Sequence, residues 1–268
     1  MHPAIAALRL RWQRLLTTPV ADFARLPKVG GMSSIPTRAA NLPAVLAEVL
    51  PQVDRLHLFL HGYDAIPEAA HHPKILPVLA PREHPFRASG KFYGLQFEKQ
   101  PCVYIGFDDD ILYHADHVAR LIRALKRYRG RVYVGTHALN WRSPDVRSTY
   151  NRGRRSYYFE RFLAADYIVD VIGAGTAAFV STEMPIFPPD WEWGDMDDLM
   201  VAIEAEKRHM PRVMLARPLK SIEAIEINQA DSLSVATQRD DSRQTAVLFH
   251  LFELMGKWPT SGATPTPQ

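Results

Sequence analysis

Cysteine occurs once in the 268 residues, at Cys102, so no disulfide within the chain can brace the fold. Long hydrophobic stretches are missing as well. The longest apolar runs, such as residues 56–60 and 174–180, fall far short of the roughly 18 to 20 residues that a spanning helix requires, so no transmembrane segment is expected. No charged-then-apolar leader opens the chain, which together with the lone thiol points to a reducing cytoplasm. No internal repeat appears. A strong charge of either sign is also absent: a net +3 with a pI near 9.0 suits anionic ligands such as nucleotides as readily as nucleic acid, and decides nothing alone.

What the sequence does have is enough apolar content, 47%, to bury one sizeable core, so a single domain is the expectation. Residues 1–27 read as an amphipathic helix, with Leu8, Leu10, Leu15 and Leu16 set among Arg9, Arg11 and Arg14. Such a helix can rest on the inner face of an anionic membrane or pack on the domain. Residues 259–268 are Pro, Thr, Ser and Gly with almost no apolar content, and read as a disordered tail.

Between these ends, over residues 28–258, short strand-like runs alternate with amphipathic helices, the pattern of an α/β layered sheet. Strands are expected at 29–35, 55–60, 74–79, 102–107, 131–136, 167–171, 176–180 and 213–216. Helices are expected where Leu42, Val45, Leu46, Val49 and Leu50 repeat, where Val118, Leu121, Ile122 and Leu125 face inward, and over 195–209. Residues 90–97 read as a short helix or turn. Residues 142–161, rich in Arg and Tyr with no clean period, read as a mobile loop and helix insertion that closes over a ligand; binding of RNA by the same residues is the weaker account, since no RNA-module signature accompanies them.

The chemistry concentrates where the fourth strand ends in Asp108, Asp109 and Asp110. Ligands of open α/β sheets collect beyond the carboxyl ends of the strands, so these acids fall where a crevice is expected. Three adjacent carboxylates repel one another unless a cation or donors offset them, and hard divalent cations prefer oxygen ligands. Mg2+ or Mn2+ held by one or two carboxylates would leave room for a diphosphate. The competing account is that the acids merely cap the helix that follows.

Six segments in order carry a wider likeness: Ser34-Ile35-Pro36-Thr37-Arg38, His61-Gly62-Tyr63, Gly90-Lys91-Phe92, Phe107-Asp108-Asp109-Asp110, Gly173-Ala174-Gly175-Thr176 and Met196-Asp197-Asp198-Leu199. Over residues 29–217 the chain resembles the family-2-like glycosyltransferases of the GT-A fold, particularly the bacterial branch linked to surface-polysaccharide assembly. The resemblance implies a Rossmann-like, mixed but mostly parallel sheet flanked by helices. It also implies metal-dependent transfer of a sugar, with inversion, from a nucleotide-diphosphate donor, first among them a UDP-sugar, to a glycan or lipid-linked acceptor.

Residue by residue, the resemblance matches Asp108 and Asp110 to an Asp-x-Asp element, with Asp110 on the metal and Asp108 reaching the metal, its waters or the ribose. Asp109 falls within the same nucleotide-sugar set. Pro36, Thr37 and Arg38 match the segment that meets the nucleotide, and the planar guanidinium of Arg38 suits a phosphate. His61 and Tyr63 stand where many relatives carry an acid, and Lys91 is a contact for nucleotide or diphosphate. Gly173, Gly175 and Thr176 form a turn that lets backbone approach the ligand. Asp198, with Asp197 second, falls at the acceptor-site acid and is the expected general base. Trp191, Trp193 and Tyr63 offer flat faces to a sugar or belong to the core. Rival readings are a nucleotidyltransferase, an aspartyl phosphatase and a non-catalytic binding module.

Overall fold

A computed structural model describes residues 25–142, 154–191, 195–225 and 240–257. Most of the amphipathic helix expected over residues 1–27, and the tail at 259–268, lie outside them. In chain order the strands are β1 (Lys28–Ser34), β2 (Arg55–His61), β3 (Ile75–Ala80), β4 (Val103–Asp108), β5 (Ile111–Tyr113), β6 (Tyr133–Gly135), β7 (Ala138–Trp141), β8 (Arg154–Tyr157), β9 (Tyr167–Ile168), β10 (Val171–Ile172), β11 (Ala177–Val180), β12 (Arg212–Met214) and β13 (Ile222–Ala224). Among the described residues the α-helices are α1 (Leu42–Val49), α2 (His117–Arg127), α3 (Asp197–Lys207) and α4 (Ser242–Leu254).

Eight strands form the central sheet in the order β3-β2-β1-β4-β11-β6-β12-β9. The half from β3 to β4 is wholly parallel, β11 runs antiparallel to both β4 and β6, and β6 pairs parallel with β12. This is the mixed, mostly parallel α/β sheet expected from the sequence. Its inner strands, β2 through β12 in that order, carry near-continuous buried residues because both faces are covered, whereas the edge strands β3 and β9 are partly exposed. One face packs α1 and α2 on Met32, Leu58, Ile105 and Phe107; the other packs α3 and α4 around Val29, Tyr104 and Phe179. On that second face a 3₁₀ segment, Ala88–Phe97, lies across β1, where a Cβ on Gly31 would come within 1.9 Å of the Lys91 carbonyl. Only glycine admits that crossing, and the crossing fixes where Lys91 emerges.

Two expectations are corrected, and one element is new. Of the 142–161 stretch, residues 143–153 lie outside the described residues, and the described part holds a strand rather than a loop and helix: β8 pairs antiparallel with β7, Asn140 opposite Arg155, and β10 completes a three-stranded sheet. The run at 167–171 is two strands in two different sheets. Between them the buried Asp170 accepts the Trp141 backbone N–H at 2.7 Å, which ends one ladder and starts the other. Helix α4 was not anticipated, although Val247, Leu248, Leu251 and Phe252 give it an apolar stripe that packs on α3. Among the described residues no helix is long and apolar enough to cross a membrane.

Candidate active site

The parallel strands β1, β2, β4 and β6 all end at one edge of the sheet, and the antiparallel β11 begins there. The carboxyl-end acids of β4 therefore meet the turn that leads into β11. Contact is close: a Cβ on Gly106 would fall 2.0 Å from the Ala174 carbonyl oxygen, and one on Gly175 would fall 1.8 Å from an Asp108 carboxylate oxygen. The Tyr113 hydroxyl ties the two segments together. It accepts the Asp108 backbone N–H at 2.7 Å and donates to the Gly175 carbonyl.

A cavity of about 540 Å³ opens at this junction. Asp108, Asp110, His137, Thr176 and Asp198 supply its polar wall; Ile111, Tyr158, Phe159, Gly173, Ala224 and Ile225 supply the rest. Asp198 stands in the first turn of α3, where the helix dipole favours an acid, and one of its oxygens accepts the Ala174 N–H at 2.7 Å. Burial, and after it the neighbouring Asp197 carboxylate, push Asp198 up to about 7, with Lys91 and the Ala174 N–H pulling the other way. A carboxylate poised there can hold or release a proton near neutrality.

The acids do not stand alone. Lys91 is buried and ion-pairs with both Asp108 and Asp197, at 2.7 Å from the latter. These carboxylates hold its ammonium well above the usual lysine value although burial opposes that charge. On the other side of the triplet the Arg38 guanidinium lies 2.8 Å from Asp109 and 3.1 Å from Asp110. Two protein cations thus offset the repulsion that the sequence ascribed to a metal or donors. Asp108 and Asp110 still keep 34% and 20% of their side chains exposed and line the cavity. Among the described residues no three His, Cys, Asp or Glu side chains converge to cage an ion. A divalent cation fits here only as Mg2+ and Mn2+ commonly bind, with one or two carboxylates and the remaining positions left to ligand phosphates.

The structure brings Asp108, Asp110, Gly173, Thr176 and Asp198 together on one cavity, and sets the other expected residues around it. Asp197 faces Lys91. Asp109, expected at the nucleotide, is 2% exposed and bound to Arg38; it is an anchor beneath the site. Arg38, expected on a phosphate, is already paired with the triplet. Pro36 and Thr37 are exposed on a 3₁₀ turn after β1. The Tyr63 hydroxyl donates to the Ile35 carbonyl at 2.9 Å and meets Ser34 Oγ at 2.9 Å, so it holds that turn in place. His61 is buried, with Nε2 3.2 Å from the His84 carbonyl. Trp191 does not offer its face to the cavity: it is buried against the Phe92 ring, 5.7 Å between centroids. Trp193 lies outside the described residues.

Sequence reasoning missed His137, Phe159 and the strut Tyr113 as site residues, and reached Tyr158 only as part of the stretch expected to close over a ligand. His137 carried the same signal as the aspartates, a polar residue just past a strand end. The two aromatic residues carried none that separates a cavity wall from a loop.

No family model matches the chain, and a search of curated proteins returned no match. Among solved structures, the chain is similar to a mannosyltransferase of Pyrobaculum calidifontis in complex with GDP-Man and Mn2+, with a TM-score of 0.52 and 18% identity over 97% of this chain and 74% of that one. A fainter likeness, TM-score 0.46 and 10% identity over 73% of this chain and 45% of the other, is to GalNAc-T7 with UDP, GalNAc and Mn2+. The first similarity is one of fold: the chain has the GT-A glycosyltransferase fold.

Proposed function

We propose that this chain is a metal-dependent glycosyltransferase that moves a sugar from a nucleotide-diphosphate donor to a hydroxyl of a glycan or lipid-linked acceptor, with inversion. The observation that carries the reading is the placement of Asp108, Asp110 and Asp198 on one cavity at the carboxyl edge of the sheet. The similarity in fold to a mannosyltransferase solved with GDP-Man and Mn2+ supports it. So does the resemblance of the ordered motifs to those of family-2-like enzymes of the bacterial surface-polysaccharide branch.

Asp108 and Asp110 would hold Mg2+ or Mn2+, which when bound neutralises charge on the departing diphosphate. Asp198 takes the proton from the acceptor hydroxyl as that oxygen attacks the anomeric carbon from the face opposite the diphosphate. Its fixed bond to the Ala174 N–H keeps one oxygen in place and turns the carboxylate toward the cavity. Lys91 holds Asp108 and Asp197 in register, so the donor end and the base end of the cavity keep a constant separation. Pro36 and Thr37, exposed on the turn beyond β1, would form the shoulder on which the nucleoside rests, with Tyr63 bracing that turn and Arg38 tied to the triplet beside it. Contact of the segment over residues 1–27 with the inner face of a membrane would bring a lipid-linked acceptor close.

The test is release of nucleoside diphosphate from a panel of UDP- and GDP-sugars with and without Mn2+ or Mg2+. Metal-dependent release is expected with at least one donor. Absence of both binding and release across the panel would falsify the reading; glycan binding without any nucleotide site would assign the chain to the non-catalytic modules instead.

A further inference from the structure

His137 stands two residues past the end of β6 and directly before β7, and its neighbours hold it closely. Its backbone N–H donates to Thr176 Oγ1 at 3.0 Å, and its carbonyl accepts the Gly173 N–H at 2.9 Å. Its ring meets those of Tyr158 and Phe159 edge-on, at centroid distances of 5.8 and 5.7 Å, while these two stack on each other at 4.4 Å. Behind it there is no slack, since a Cβ on Gly173 would sit 3.0 Å from the ring. An imidazole clamped this way cannot change rotamer without disturbing the hairpin, the turn or both. Such over-determination goes beyond what filling a cavity wall requires.

The polarity of the ring points the same way. Nδ1 is buried and has no hydrogen-bond partner among the described residues, whereas Nε2 is not sealed off and carries no hydrogen bond there. The side chain lines the cavity together with Asp198 and the strand-tip acids. Burial, reinforced by Arg217, lowers its pKa to about 4, so the ring is neutral at physiological pH. It therefore adds neither charge for a diphosphate nor a proton store, but a single fixed hydrogen-bonding group. Thr176, the other neutral polar side chain on that wall apart from Tyr158, already donates to the Gly173 carbonyl at 3.1 Å and accepts from His137. The carboxylates have tasks of their own. Next to the imidazole, Tyr158 and Phe159 line the cavity and add apolar surface against which the C–H groups of a sugar can pack.

We propose that His137, braced by Gly173 and the Tyr158–Phe159 pair, hydrogen-bonds a hydroxyl of the donor's sugar ring and so helps decide which sugar the site accepts. The proposal rests on the reading of the cavity as a nucleotide-sugar site. A sugar lying between Asp108 and Asp110, at the diphosphate, and Asp198, at the attacking hydroxyl, has to pass this wall. Recognition by a neutral, immobile hydrogen-bonding group discriminates strongly, because an analogue lacking the hydroxyl leaves a polar group unpaired in a partly desolvated pocket.

The experiment is calorimetric titration of the whole chain, wild type and His137→Phe, with Mn2+ present, using the nucleoside diphosphate alone and then the nucleotide sugars that bind. His137→Phe keeps a planar ring against Gly173, Tyr158 and Phe159 and removes both nitrogens; an unchanged thermal midpoint confirms folding, and His137→Gln is measured beside it as a polar replacement. The expected result is equal affinity of both proteins for the diphosphate and about fivefold to tenfold weaker binding of the nucleotide sugar by His137→Phe, partly restored in His137→Gln. A series of deoxy donors should contain one position whose penalty in the wild type disappears in His137→Phe. Equal binding of nucleotide sugars by both proteins overturns the proposal while leaving the glycosyltransferase reading intact, and so does an equal loss for the bare diphosphate. Failure of the wild type to bind either ligand overturns the underlying reading, and this inference with it.

Discussion

Lys91 Nζ lies 2.7 Å from Asp197 Oδ2 and ion-pairs at the same time with Asp108, so one buried ammonium joins the tip of β4 to the start of α3. Charges removed from water are costly unless paired, and truncating one member leaves the others uncompensated. Lys91→Met should therefore cost about 3–5 kcal/mol of stability, read as a lowered urea midpoint with an unchanged denaturant slope. An effect under about 1 kcal/mol would mean that water already reaches these carboxylates.

Arg38 and Asp109 invite a double-mutant cycle. Arg38→Met alone strands Asp109, which is 2% exposed, and should destabilise by several kcal/mol, on the order of 3–5. Adding Asp109→Asn should recover much of that loss, because the orphaned charge goes with it. Strict additivity of the two changes in thermal or urea unfolding would show that the pair is not coupled.

Asp198 predicts a pH dependence with a definite sign. An acid held at about 7 by burial and Asp197 is protonated, and unable to act as a base, below that value, so turnover should rise with pH along a limb near 7. Stability should run the other way. Between the ordinary carboxylate range and 7 the folded state holds a proton that the unfolded state does not, so this group's contribution is present at low pH and is lost as pH rises through 7. Asp198→Asn should abolish the rate limb and the turnover while leaving nucleotide-sugar binding within about threefold, since the altered group meets the acceptor. A preserved pH limb in the variant would remove Asp198 from the role of base.

Asp110→Ala separates site from scaffold. Because Asp110 keeps a fifth of its side chain exposed, stability should change by no more than about 1 kcal/mol, whereas Mn2+-dependent affinity for a nucleoside diphosphate should fall at least tenfold in calorimetry. Unchanged metal dependence would make the acidic triplet a structural feature held by Arg38 and Lys91.

Tyr113→Phe tests the strut. Losing the hydroxyl orphans the Asp108 N–H and the Gly175 carbonyl, a cost of about 1–3 kcal/mol. The displaced Asp108 backbone should weaken diphosphate binding as well, which a remote stability defect would not do.

Much of this molecule was legible in its sequence, and the reasons for what was hidden are specific. The repeats in Leu42, Val45, Leu46 and Val49, and in Val118, Leu121 and Leu125, report helices because period and burial coincide there. Asp108 and Asp110 stood out because acids at the tip of an apolar strand have few bland explanations. The order of strands in the sheet was not legible: nothing local in residues 177–180 says that β11 runs antiparallel between β4 and β6, since that follows from long-range pairing. Nor could composition tell that Trp191 turns into the core beside Phe92 while the smaller Phe159 faces the cavity. Arg38 looked like a phosphate ligand because an arginine suits a phosphate and a carboxylate equally well; only the fold brings Asp109 and Asp110 within reach.

The crowding of Gly106 on Ala174 and of Gly175 on Asp108 sets a limit on how this pocket can be remodelled. Where backbone already touches backbone at one glycine and a carboxylate at the other, inserted bulk cannot alter the floor without parting the two segments. Variation in the accepted cargo has the opposite side to work on, His137 with the shell of Tyr158, Phe159, Ala224 and Ile225, so attempts to retune selectivity by directed evolution should find their gains there and their dead ends at the glycines.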